Sequence, residues 1–121
     1  MRYIPFASNS VEAWMQIVAR EVNALIQEKS NVLTKTAAYT IEEDDDVILG
    51  DATAAAFTVT LPKATLFEGR RFTVKKIDAS VNAVTLDGDG SETIDGALTV
   101  ALAVQYEALE VLSNGTGWVI V

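Results

Sequence analysis

The sequence predicts a mainly β protein with an N-terminal α-helix: an antiparallel β-sandwich or jelly-roll-like domain on a helical trimerisation stem. Three observations carry this expectation. Across residues 57–121, short runs alternate apolar and polar residues and are separated by Gly, Asp, Asn and Pro turns. Across residues 10–30, apolar residues recur about every 3.5 positions with no Gly or Pro between them. Across residues 31–35 the period shifts towards 2, which places a joint between stem and sheet. The expected division is an attachment arm at 1–9, a trimerising helix at 10–33 and a β-sandwich at 36–121.

The arm contains Tyr3, Ile4, Pro5 and Phe6, four bulky residues ahead of a helix start. They have two readings, docking on another protein or packing back on the chain's own helix as a hydrophobic staple. Asn9 is placed to cap the helix, with Glu12 three residues on as in a capping box. The helix would run roughly 30 Å at about 1.5 Å per residue. Val11, Met15, Val18, Val22 and Leu25 form its seam, Val32 continues the series, and Trp14, Ile17, Ala19 and Ile26 widen it. Arg20, Glu21, Gln27 and Glu28 hold the polar side. Such a stripe packs either across the chain's own sheets or in a parallel three-helix bundle, and its width favours two neighbours over one. In the bundle the interface would be Val11, Trp14, Met15, Val18, Val22, Leu25 and Ile26.

About eight strands are expected beyond the joint, at 36–41, 46–49, 57–61, 70–78, 83–86, 98–101, 106–112 and 118–121. Phe57, Val59 and Leu61 should point inward, with Thr58 and Thr60 outward; Phe72 and Val74 should oppose Arg71, Thr73 and Lys75. With no helix between the strands, antiparallel pairing is the expectation, because parallel neighbours are ordinarily joined by crossover helices.

Composition bounds the chemistry. The 121 residues contain no Cys and no His, which excludes disulfides, thiolate metal sites and the commonest general base. Net charge is −8, which disfavours a phosphate backbone as partner. No apolar run approaches the roughly 18 residues of a membrane span, and no cationic start precedes an apolar stretch as in a secretory leader.

Four stretches attract a functional reading. Asp87, Asp89, Glu92 and Asp95 could offer oxygens to a cation, but Gly88, Gly90 and Gly96 suit a hairpin turn with Ile94 tucked into the core, so no metal is expected. The acidic run Glu42, Glu43, Asp44, Asp45, Asp46 reads as a solvated turn, with a basic patch on a partner subunit as the alternative. Arg70, Arg71, Lys75 and Lys76 read as charges guarding an exposed edge strand, or as salt-bridge partners for a neighbouring protomer. Trp118 and Tyr106 read as packing residues, with sugar stacking as the alternative for Trp118. No nucleophile elbow, phosphate loop or dinucleotide fingerprint is present, and no catalytic residue or cofactor is assigned.

The order of Thr60-Leu61-Pro62, Gly69-Arg70-Arg71, Val74-Lys75-Lys76-Ile77-Asp78, Ile94-Asp95-Gly96, Gln105-Tyr106-Glu107 and Gly115-Thr116-Gly117-Trp118 resembles a small β-module. That module recurs in fibre, spike and head-fibre proteins of tailed bacteriophages. The resemblance implies a homotrimer on a helical stem, located in the virion after assembly in the host cytoplasm and lacking enzymatic activity. It implies attachment to another virion protein, capsid or tail, through the arm, and no nucleic acid or membrane as partner. The brevity of the chain favours a short head fibre or capsid decoration. The alternative is a tail-fibre module engaging a host cell-surface glycan.

Overall fold

Alternating side chains decide the inward face of each strand, and here those faces meet in one core between two sheets. The computed structural model describes residues 29–121. In chain order the strands are β1 (Val32–Lys35), β2 (Tyr39–Thr40), β3 (Val47–Gly50), β4 (Phe57–Thr60), β5 (Arg71–Lys76), β6 (Val84–Asp87), β7 (Thr99–Leu102), β8 (Ala108–Ser113) and β9 (Trp118–Ile120). A single 3-10 turn, Ala64–Leu66, lies between β4 and β5. One sheet has the order β1-β3-β5-β8-β9 and the other β2-β4-β6-β7.

The chain therefore changes sheet after each of its first five strands. As far as β6, odd strands enter the five-stranded sheet and even strands the four-stranded one; β7 then joins the four-stranded sheet, and β8 and β9 the five-stranded one. The successive strands of each sheet pair parallel: β1 with β3, β3 with β5, β2 with β4 and β4 with β6. Val32 pairs with Val47, 15 positions on (32 to 47), and Phe57 with Val84, 27 positions on (57 to 84). These intervals satisfy the dozen or so residues that a parallel connection needs. The connecting material is a strand of the facing sheet with an arc at each end, which replaces the crossover helix. Antiparallel pairs close the winding: β6 with β7, β5 with β8 and β8 with β9.

This corrects the antiparallel sandwich or jelly roll on a helical stem. The sheets are mixed, and no α-helix occurs among the described residues. Val32 and Leu33, assigned to the end of the helix, belong to β1, where register with β3 outweighs the heptad continuation. Residues 29–31 of the expected stem are irregular, and residues 10–28 lie outside the described residues.

The expected inward residues are inward. Phe57, Val59, Leu61, Phe72, Val74, Ile94 and Trp118 all belong to the buried core. Trp118 packs on Phe72 at 5.7 Å between centroids, and Phe67 meets Phe72 edge-on at 6.4 Å. The indole Nε1 of Trp118 has no hydrogen-bond partner among the described residues. Gly50 of β3 faces Val84 of β6 closely: a Cβ there would lie 2.8 Å from a methyl of Val84.

Candidate functional site

The polar residues gather at the two ends of β5. At its start Arg70 reaches across to the arc joining β2 and β3. Its guanidinium pairs with Asp46 at 3.1 Å and donates to the carbonyls of Glu43, at 3.0 Å, and of Asp45. It also stacks over Phe72, 4.4 Å from the ring centroid. Asp46 accepts from the amide of Asn31 at 2.7 Å, and Asn31 Nδ2 donates to the Asp44 carbonyl. Asp45 is buried, where it accepts from the Tyr39 hydroxyl at 2.6 Å and the Glu42 amide at 2.8 Å. Burial, followed by the hydrogen bond and charge of Asp45, raises the Tyr39 hydroxyl well above its ordinary value. The acidic run is thus a turn as expected, but only Glu42, Glu43 and Asp44 face solvent.

At the far end of β5, Lys76 points inward and is fully buried. Its ammonium meets Asp78 at 2.7 Å. Asp78 also accepts from the amides of Ala52, at 2.8 Å, and Ser80, at 3.1 Å, and from the Ser80 hydroxyl. Asn82 Nδ2 donates to the Ala52 carbonyl at 2.9 Å. Burial pushes the Asp78 carboxyl up, but the bonds from Lys76, Ser80 and Ala52 outweigh it and hold the group well below the usual carboxylate range. Ala52 belongs to the arc after β3, while Asp78, Ser80 and Asn82 belong to the arc after β5. The cluster fastens one turn of the winding to the next. The sequence did carry a signal for it: Phe72, Val74 and Lys76 share the inward face, and an inward Lys requires a buried partner.

The two basic pairs therefore differ from their expected role. β5 is the middle strand of its sheet, so its charges guard no edge. Arg71 and Lys75 lie on the sheet's outward face; Arg71 is 3.7 Å from Glu110, and Lys75 lies 5.5 Å from the Tyr106 ring centroid. Tyr106 is 63% exposed, in place of the expected packed ring, and its φ of 70° sets the turn before β8.

In the loop from Asp87 to Asp95 the carboxylates diverge. Glu92 accepts from the Ala64 amide at 2.8 Å, and Asp95 from the Ile120 amide at 3.1 Å. Trp118 joins this loop through its amide, which donates to the Thr93 carbonyl at 2.8 Å, and its carbonyl, which accepts from Asp95 N. Among the described residues, no group of three or more acids is arranged to hold a metal ion.

The outward faces of the two sheets differ in chemistry. The four-stranded sheet presents Thr40, Thr58, Thr60, Thr85 and Thr99, with Asp87 between Thr60 and Thr99 and Ala101 beside Thr85. The five-stranded sheet presents Val32, Val47, Leu49, Leu112 and Val119, with Thr34, Arg71, Thr73, Lys75, Ala108 and Glu110 among them.

The arm residues Tyr3, Ile4, Pro5 and Phe6 lie outside the described residues, as do the seam residues Val11, Trp14, Met15, Val18, Val22, Leu25 and Ile26. No protein-family model matches the chain, and no curated protein matches it.

Proposed function

We propose that the chain is a non-enzymatic structural protein of a tailed-bacteriophage virion, assembled as a homotrimer into a short capsid decoration or head fibre. The arm, through Tyr3, Ile4, Pro5 and Phe6, attaches to another virion protein, and the β-domain projects from the particle. The observation that carries this reading is the ordered set of module residues between Thr60 and Trp118. Those residues coincide with positions that define the winding. Leu61 and Ile94 are core, Gly69 and Gly115 take positive φ, Lys76 and Asp78 fasten the arcs, and Trp118 closes the core. The polar side chains described above hold backbone groups of neighbouring arcs, a building role and not a chemical one.

Mass spectrometry of heads and tails separated from purified particles tests the reading. The chain is expected in heads, and a chain lacking residues 1–8 is expected to fold but to be missing from particles. Absence of the full chain from particles would overturn the proposal.

A further inference from the structure

We propose that the outward face of the five-stranded sheet is where copies of this chain meet, with Glu42, Glu43 and Asp44 of one copy lying against Arg71 and Lys75 of the next. The inference rests on the homotrimer reading above and names its contact surface.

Apolar character comes first. Two sheets of one domain differ on their outward sides: Thr predominates on the four-stranded face, and Val and Leu flank the charged row of β5 on the five-stranded one. Thr is the expected choice for a wetted strand face, since it suits the pleat and keeps a hydroxyl for water. Val47, Leu49, Leu112 and Val119 are the residues of a strand covered on both faces. They form two apolar strips, Val32, Val47 and Leu49 on β1 and β3 and Leu112 and Val119 on β8 and β9, with Arg71, Thr73 and Lys75 of β5 in the row between them. At the margins of the face Val32 is 50% and Val121 54% exposed.

Charge then selects the occupant. The chain carries −8, so two copies repel except where one offers positive charge. This face carries Arg71 and Lys75 against the single acid Glu110, which makes it locally positive. The matching acids are on the same molecule. Glu42, Glu43 and Asp44 are exposed in the arc before β3, and their side chains have no hydrogen bond among the described residues. Arg70 takes the Asp46 carboxylate and leaves these three facing outward. A surface that meets a different surface of the next copy is heterologous and closes into a ring when the rotation permits, as a trimer requires.

Charge reversal in the full chain, with mass in solution measured near 0.15 M salt, tests this. The native chain is expected to be trimeric. Arg71→Glu with Lys75→Glu should weaken assembly at least tenfold, with the circular dichroism unchanged. Adding Glu42→Lys, Glu43→Lys and Asp44→Lys to that variant should restore it. Thr58→Glu with Thr85→Glu, on the other sheet's outward face, should leave assembly intact. The chain has no Cys, so a second measurement is independent of reversal: mixing a Lys75→Cys chain with a tagged Asp44→Cys chain should give the mixed disulfide. A native monomer, an unaffected Arg71/Lys75 variant, or no mixed disulfide would overturn the inference. A native trimer indifferent to these changes would sink this contact alone, whereas absence of the chain from particles would sink the virion reading alone.

Discussion

Lys76 and Asp78 show how one residue pair can set the stability of a whole winding. An ammonium removed from water is tolerated only where a partner and further hydrogen bonds compensate it, and the Asp78 carboxylate supplies the partner while binding the Ala52 amide as well. Lys76→Met should leave Asp78 without its cation, and Asp78→Asn should strand a buried ammonium. Each is expected to lower the melting temperature far more than Lys63→Ala, at an exposed position. The sign of the pH effect follows from the shift. Asp78 is lowered in the folded chain, so its contribution is complete above the ordinary aspartate value of about 3.9 and is lost as the pH falls below it. Tyr39 is raised, so its contribution is complete below the ordinary tyrosine value of about 10 and is lost as the pH rises above it. Thermal melts across pH should therefore fall at both extremes. Asp78→Asn should flatten the acid limb, and Tyr39→Phe the alkaline one; unchanged limbs would show that other groups govern them.

At the level of elements, strand positions were legible and strand partners were not. Alternation such as Phe57-Thr58-Val59-Thr60 states which side chains face the core, and the structure agrees. It says nothing about which of two facing sheets a strand enters. The rule linking parallel pairs to helical crossovers led to the antiparallel expectation, and arcs through the opposite sheet satisfy the same length requirement without a helix. β1 was missed because Val32-Leu33-Thr34-Lys35 follows an apolar series with helical spacing. The turns were more readable, since their residues answer local backbone demands. Gly88 shows why: a Cβ there would lie 2.3 Å from the Glu92 carbonyl oxygen, which the loop between β6 and β7 holds in place. Gly88→Ala should cost about 1–3 kcal/mol through forced displacement of that loop, measured by chemical denaturation. A change within a few tenths of a kcal/mol would mean that the loop yields freely. The Asp78 cluster was legible only in part: an inward Lys76 calls for a buried partner, but the backbone it fastens is not indicated. Its residues are separated by one strand turn from the Ala52 amide they bind, a distance of 26 positions (52 to 78) that no local pattern reveals.

For the whole molecule, β5 is the organising strand. It holds the centre of the five-stranded sheet, carries Phe72, Val74 and Lys76 into the core, and sends Arg71 and Lys75 outward. Backbone amides of β5 and β8 should be among the slowest to exchange with deuterium, and those of β2, a two-residue strand at a sheet edge, among the fastest. Comparable rates in the two would contradict a hierarchy centred on β5. The same arrangement constrains how the chain emerges during translation. The first six strands can wind in the order in which the ribosome delivers them, each from β3 onward laid beside one already in place. The free flank of β5 then waits for β8, whose Leu112 pairs with Arg71 across 41 positions (71 to 112). Until those residues leave the exit tunnel, the nascent chain carries a half-built sheet with an open central strand, the interval in which it is most prone to aggregate with its neighbours.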